Sequence, residues 1–456
     1  MGDRRPRKGK LGQKQPPRAP ERRLLRVIVI CYLFLAGLYA TAIPPGKGPD
    51  ETAHLRYISY LAEHHGLPVF DRQNPGADYE FHQPPLYYLV CLPTYSLSGS
   101  SPEVAAQTVR FVTILIGLAV LYLTFALGRA LLPDQPWVAV AAAAVVAFLP
   151  AHLSVVSTVG NDALTEVFVT AALLLSVRYL RSSAEQRQGQ MEQAPSAWTI
   201  ALAGVMIGLG LLTKSIAVVL LPVVWAAAAL AAQGRQAYEW RRLVRDLAVS
   251  SGPVLVIAGW WLWRNLSLYG DILAGGAFLT AFQDRPSPAE FMERTGLTPP
   301  GYVVLVAGWT LASSLGAFGP VFGNRFVFYP YWVYVVFGAK ALIEVVGFIR
   351  SLARDTWAGW QRQAWWLCAL LAVVLLAGFI RFNLTFFQAQ ARYLFPALPP
   401  AAVALCLGLR TIAPPRRWQL TLVAGVSLLL LLAIAGLYLW IVPQFRLPAP
   451  VLASLP

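Results

Sequence analysis

Residues 24–60 read LLRVIVICYLFLAGLYATAIPPGKGPDETAHLRYISY. Up to Ile43 the stretch is apolar but for Arg26, and about twenty such residues are what a helix needs to cross a hydrocarbon core about 30 Å thick. At Pro44 the character changes. Gly48 and Pro49 are helix-start residues, and Asp50 and Glu51 follow where the dipole of a new helix favours anions. Leu55, Ile58, Leu61 and Ala62 then recur at helical spacing as far as Gly66, a favoured C′ residue, with Pro68 beyond it. A membrane span therefore hands over to an amphipathic helix suited to the membrane surface.

Ten more apolar windows lie downstream, at about 106–129, 136–157, 162–181, 197–213, 215–233, 246–267, 331–350, 364–382, 393–410 and 418–442. The chain is 57% hydrophobic and 13% charged, whereas soluble domains carry about 25% charge. The expected architecture is an all-α polytopic membrane protein of about eleven spans, with a membrane domain over 24–442. Its four cysteines, Cys31, Cys91, Cys368 and Cys406, are scattered and read as small apolar residues.

Charge sets the orientation. The proline-rich tail over 1–23 is basic and expected to be disordered, and the positive-inside rule puts it in the cytoplasm. Alternation from there gives the cytoplasmic segments 24 Lys/Arg against 8 Asp/Glu, and the outer segments 12 against 13. The basic excess of +15 is therefore a topology signal and an attraction to anionic lipid, and nucleic acid is not an expected partner. The apolar run from Val27 is long for a signal peptide, so the first span is expected to stay as an anchor. The C-terminal segment 443–456 would then lie outside.

Two connections exceed the short loops of the rest: about 44–105 and 268–330, both on the outer face. Chemistry is expected there. Asp50, Glu51 and His54 share the first turn of the surface helix, either as solvated caps or as a working face. His82 and Gln83 precede Pro84-Pro85, and Leu86, Tyr87 and Tyr88 begin a short apolar helix expected to break at Pro93; an interfacial aromatic belt is the alternative reading. Asn161-Asp162 heads the fourth span, and Lys214 is the one charge between Trp198 and Gly234. Arg264-Asn265 closes the seventh span, and Arg392-Tyr393 opens the tenth. Interfacial capping or snorkelling would also explain these charges. Lys340 and Glu344, four apart inside the eighth span, read as a structural ion pair. No His/Cys/Asp cluster has metal-site spacing.

In this order, Pro49-Asp50-Glu51 with His54, Gln83-Pro84-Pro85-Leu86-Tyr87-Tyr88, Gly160-Asn161-Asp162, Leu212-Thr213-Lys214-Ser215, Arg264-Asn265 with Tyr269-Gly270-Asp271, and Arg392-Tyr393-Leu394-Phe395-Pro396 resemble the GT-C superfamily of integral membrane glycosyltransferases. The resemblance runs from about residue 24 to 412, near the family 39 protein mannosyltransferases, the lipid A aminoarabinose transferase and their bacterial relatives. It implies a polyprenyl-phosphate sugar donor, an active site on the outer face of a bacterial plasma membrane, and Asp50 as general base. Glu51 and Asp162 match further acids, and Lys214 matches a basic position near the donor phosphate. Where the aminoarabinose transferases have Lys-Pro-Pro, this chain has Gln83-Pro84-Pro85, and His82 would have to take over that contact.

The residues support the same chemistry independently. An outer-face enzyme has no nucleotide sugar, so it needs a lipid-linked donor, cations for the leaving phosphate and a carboxylate for the acceptor proton. The expected catalytic set is Asp50, Glu51 and Asp162. The expected substrate-binding set is His54, His82, Gln83, Tyr87, Asn161, Lys214, Arg264, Arg392 and Tyr393. No cofactor is required, though a divalent ion is compatible. The acceptor would be a lipid, a glycan or a protein, and transfer would invert the anomeric centre. A transporter or flippase with an ionisable relay is the alternative; a scaffold without chemistry leaves the clustered outer charges unexplained.

Overall fold

The computed structural model describes residues 20–446 apart from 74–75, 100, 190–195, 235–236, 284, 320–325 and 355–356. The N-terminal tail as far as residue 19 and the C-terminal segment from 447 onward lie outside the described residues.

In chain order the helices are α1 (Pro20–Ala42), α2 (Glu51–His64), α3 (Leu86–Leu97), α4 (Pro102–Leu131), α5 (Pro136–Phe148), α6 (Pro150–Val156), α7 (Asp162–Arg187), α8 (Ala197–Leu211), α9 (Leu220–Ala231), α10 (Trp240–Tyr269), α11 (Gly275–Ala281), α12 (Pro288–Thr295), α13 (Pro299–Leu315), α14 (Tyr331–Arg354), α15 (Gly359–Asn383), α16 (Leu398–Ile412), α17 (Trp418–Ala435) and α18 (Val442–Arg446). All eleven apolar windows are helical, and α14 and α15 coincide almost end to end with the eighth and ninth. Among the described residues eight helices are long and apolar enough to cross a membrane, or nine if the bent pair α5 and α6 is one span. The other two windows hold the shorter apolar helices α8 and α9. The 64° bend of the pair falls at Leu149-Pro150. Proline drives the residue before it out of the helical region, and Leu149 is extended while Pro150 starts α6.

Helix α7 is the central element, with 78% of its apolar window buried, against 17% in peripheral α14. Small residues bring neighbours close, as expected where lipid supplies no hydrophobic drive. Gly347 of α14 lies on the backbone of Gly408 in α16, and Gly204 of α8 on that of Ser250 in α10, so a side chain at either would strike a main-chain carbonyl. Lys340 and Glu344 pair at 2.5 Å, and neither charge faces lipid alone.

The long connections fold onto the bundle. The second carries α11, α12, α13 and a two-stranded hairpin pairing Ala317 with Phe328 and Phe318 with Val327. In the first, α2 does not lie free on a membrane surface: Ala53, His54, Tyr57, Ile58 and Leu61 are buried. Tyr57, Ile58 and Leu61 join Phe70, Phe81, Tyr87, Tyr88 and Cys91 in a separate apolar core. Tyr57 stacks flat on Tyr88 with ring centroids 3.8 Å apart. The helix also stops one residue earlier than Gly66 suggests, with His65 itself in the left-handed conformation at φ 51°. Pro93 does not break α3, which continues to Leu97. Tyr87, Tyr88 and Cys91 anchor the helix on one side, and Leu89 and Val90 face outward. Tertiary packing there outweighs the one hydrogen bond that the proline removes.

Candidate functional site

The site forms where this docked loop meets the ends of three bundle segments. The amide of Leu86, at the start of α3, donates to the carbonyl of Leu212 at 2.8 Å, fixing the loop to the α8–α9 turn that carries Lys214. A 3-10 turn over Gly76–His82 brings Tyr79, Glu80 and His82 to the same place. A second 3-10 turn over Ala391–Ala397 leads into α16 and presents Arg392 and Tyr393.

Asp50 precedes α2 with φ 55°, in the left-handed region that Asp tolerates better than most side chains. Its carboxylate makes no capping bond to the helix amides. Oδ1 accepts from the Tyr79 hydroxyl at 2.8 Å, and Oδ2 pairs with Arg392 Nη2. Arg392 also reaches Asp162 Oδ2 with Nη1 at 3.3 Å, and Lys214 Nζ holds Asp162 Oδ1 at 2.5 Å. One chain of charge thus links Asp50, Arg392, Asp162 and Lys214, four residues from four distant segments. The Tyr393 ring lies 5.0 Å from the Arg392 guanidinium and 5.9 Å from the Lys214 ammonium.

Burial would push the Asp50 carboxyl up, but Arg392, by its charge and its hydrogen bond, with the Tyr79 hydroxyl, outweighs it and holds the carboxyl well below the usual carboxylate range. The ionised state expected from the sequence is therefore held by a guanidinium and a tyrosine, not by free amides. The amides go elsewhere. Glu51 is fully buried and accepts from the main-chain nitrogens of Gly46 at 2.8 Å, Gly48 at 3.1 Å and Val159 at 3.0 Å. Arg110 closes on it with two bonds of 2.7 Å and donates to the carbonyls of Ala40, Ile43 and Pro44. Glu51 is a staple between α1, α2, α4 and the α6–α7 turn. Its oxygens are committed to five donors, whereas the catalytic place expected for it would need a free oxygen.

The other expected residues divide in the same way. His54 is buried beside the charge chain and shares a 2.9 Å hydrogen bond between Nδ1 and the Tyr88 hydroxyl. Burial pushes its imidazole down to about 4, so it is neutral. His82, with Nδ1 2.7 Å from the Tyr79 carbonyl, is held near 4 by the same cause. Gln83 and Asn161 line the floor, with Asn161 donating to Gln83 Oε1 at 3.4 Å and to the Thr213 carbonyl at 3.3 Å. Two residues do not join the site. Tyr87 is fully buried between Thr113 and the amide of Gly160, so it clamps the α6–α7 turn. Arg264 stacks on Trp261 and donates to the Pro68 carbonyl at 2.7 Å, tying α10 to the first loop.

Sequence reasoning missed two groups. Arg110 was legible as a cation inside an apolar span, which defaults to a functional or paired role. Glu80 stood in a polar loop and gave no signal; in the fold it is 4% exposed at the edge of the charge chain. Among the described residues no three His, Cys, Asp or Glu side chains are grouped so as to hold a metal ion.

Residues 82–263 match the family model described as dolichyl-phosphate-mannose-protein mannosyltransferase. The matched stretch contains Asp162 and Lys214 but stops short of Asp50 and Arg392. No curated protein matches the chain in sequence. Among solved structures it is similar to ArnT from Cupriavidus metallidurans bound to undecaprenyl phosphate, with 16% identity and a TM-score of 0.54, covering 94% of this chain and 66% of that one. It is also similar to the apo oligosaccharyltransferase of Archaeoglobus fulgidus, with 16% identity and a TM-score of 0.55, covering 94% of this chain and 56% of that one. The same archaeal protein tethered with an acceptor peptide gives 17% identity and 0.54, covering 93% and 55%. The chain thus spans between about half and two thirds of the length of the structures it matches. At such identities the likeness is one of fold.

Proposed function

Because this chain has the GT-C fold of integral membrane glycosyltransferases, we propose that it is itself a glycosyltransferase, moving a sugar from a polyprenyl-phosphate donor to an acceptor on the outer face of a bacterial plasma membrane. The observation that carries this reading is the chain of charge from Asp50 through Arg392 and Asp162 to Lys214. Its two cations suit a phosphate, and its partly exposed Asp50 suits an acceptor hydroxyl.

In this reading Lys214 and Arg392 turn from their carboxylates toward the donor phosphate, and they stabilise the charge that gathers there as the anomeric bond breaks. Asp162 holds both cations in place until the donor arrives. Asp50 takes the acceptor proton, and attack opposite the phosphate inverts the anomeric centre. Neutral His54 and His82, with Gln83 and Asn161, supply hydrogen-bonding groups for sugar hydroxyls without adding charge. Acceptor recognition falls to the two outer loops, and no step calls for a cofactor.

The purified protein is expected to retain polyprenyl phosphate, or to bind added undecaprenyl phosphate, as measured by mass spectrometry of the extracted lipid. A protein that neither retains nor binds such a lipid would overturn the reading. Lys214→Ala is expected to remain folded in detergent while donor use falls roughly 10²-fold, the usual cost of removing one group that meets transition-state charge. Unchanged donor kinetics in both Lys214→Ala and Arg392→Ala would remove the phosphate assignment.

Orientation has its own test. In this reading the N-terminus lies in the cytoplasm and the C-terminus outside, so Lys214→Cys and Asp50→Cys should react with an impermeant thiol reagent added to intact cells. Labelling of either only from the cytoplasmic side would invert the scheme.

A further inference from the structure

The carboxyl of Glu80 is unaccounted for by this chemistry. Its Oε2 is buried and has no hydrogen-bond partner, although the residue is only 4% exposed. Every nearby cation is already engaged: Arg392 with Asp50 and Asp162, and Lys214 with Asp162. An unpaired carboxylate buried beside two others is costly, and such a group keeps its proton. The groups in electrostatic reach come from every element around it. They are Asp50 of the α2 cap, Tyr79 of its own turn, Tyr88 of α3, Asp162 of α7, Lys214 of the α8–α9 turn, and Arg392 and Tyr393 before α16. Burial, with Asp50 next, pushes the Glu80 carboxyl up to about 8 against the pull of Lys214 and Arg392.

The charges explain why a proton would be useful at this place. Two cations face two carboxylates, so the resting site has no positive surplus for a phosphate whose charge grows when its bond to sugar breaks. A neutral acid at the same place supplies a donor without a further cation. We propose that Glu80 is a second working carboxyl of this site, one that enters the reaction as a neutral acid and gives its proton to the phosphate oxygen leaving the sugar; this rests on the glycosyl-transfer reading above. The acceptor oxygen bonds to the anomeric carbon as its proton passes to Asp50. The bond from that carbon to the phosphate oxygen breaks, its electron pair stays on the oxygen, and the oxygen takes the proton of Glu80. Asp50 ends neutral and Glu80 ionised; loss of one proton from the first and gain of one by the second restore the site.

The test has an arm that needs no turnover. On adding undecaprenyl phosphate at pH 7, the infrared difference spectrum of the wild-type protein is expected to show the carbonyl band of a protonated carboxyl that responds to the lipid and is absent in Glu80→Gln. A band unaffected by the lipid, or unchanged in Glu80→Gln, overturns the proposal. In transfer assays the wild-type rate should fall as pH rises through about 8, because the acid form is lost. Glu80→Gln should run roughly 10- to 100-fold slower at pH 7 and lose that basic limb. A limb that persists in Glu80→Gln also overturns it, since a merely structural glutamate would not set it. A lipid-responsive band in a protein that transfers no sugar would uphold the acid and refute the glycosyl-transfer reading instead. Should Glu80→Gln not fold, the wild-type band titrating away near pH 8 carries the first arm.

Discussion

Asp50→Asn is expected to slow sugar transfer by roughly 10² to 10⁴-fold, the range by which a positioned general base contributes, while leaving lipid binding intact. Asparagine keeps the size of the side chain, can still accept from Arg392 through its one oxygen while its amide donates to the Tyr79 hydroxyl oxygen, and cannot take a proton. Asp50 is only partly buried, with 22% of its side chain exposed, so losing its charge should disturb the fold little. Its lowered pKa fixes the pH behaviour. A carboxyl held below the usual range is ionised throughout the ordinary carboxylate range, so base activity should persist there and fade only as pH falls through the lowered value. The same depression makes it a weak base, effective only if the proton moves late, as the bond to phosphate breaks. Rates of Asp50→Asn and wild type in one preparation, with lipid binding as the folding control, check this. Near-normal turnover in Asp50→Asn would mean that the base is elsewhere.

The second large effect belongs to Glu51 and is one of stability. Glu51→Gln or Arg110→Ala leaves one half of a fully buried ion pair without its partner, a loss that typically costs about 3 to 5 kcal/mol. Both variants should unfold in detergent at clearly lower temperature or denaturant concentration than wild type. Whatever activity they lose should follow the lost fold. A Glu51→Gln protein with wild-type stability and no turnover would reverse the roles of Glu51 and Asp50. That contrast between neighbours separates the site from its support. Asp50 is held by the side chains of Tyr79 and Arg392, and Glu51 by main-chain amides and an arginine with no exposed surface.

How far the sequence carried can be read from these same residues. Asp162 and Lys214 sit at the ends of apolar windows, and Asp50 and Arg392 beside others; the alternation of charge is enough to assign all four to one face. Membrane spans have few ways to pack, so shared depth was a good guide to which of these side chains meet. The all-α bundle was legible for the same reason, because windows near twenty residues leave little else to form. Roles set by tertiary partners were not legible. The carboxylate of Glu51 looked as available as that of Asp50 because its partner, Arg110, stands 59 positions away on another helix. Tyr87 read as a substrate-binding or interfacial aromatic, and only its contacts with Thr113 and Gly160 show a clamp. Glu80 lay in a loop with no periodicity, and nothing local reports that a loop residue will be buried next to two other acids. The stripe of α2 is covered by protein, because a stripe of apolar residues fits a protein neighbour as well as it fits lipid.

Every role proposed for these side chains depends on transfer from a polyprenyl-phosphate sugar, and a single assay decides it. Purified protein in detergent or liposomes is given undecaprenyl phosphate bearing a radiolabelled sugar, together with an envelope extract as the source of acceptor, and label is followed into an acceptor separable from the donor lipid. The wild-type protein is expected to transfer label, Asp50→Asn to lose nearly all of that transfer, and Lys214→Ala to show weakened donor use. Failure of the wild-type protein to move label from a panel of such donors that it demonstrably binds, or equal transfer by wild type and Asp50→Asn, would contradict the proposed reaction.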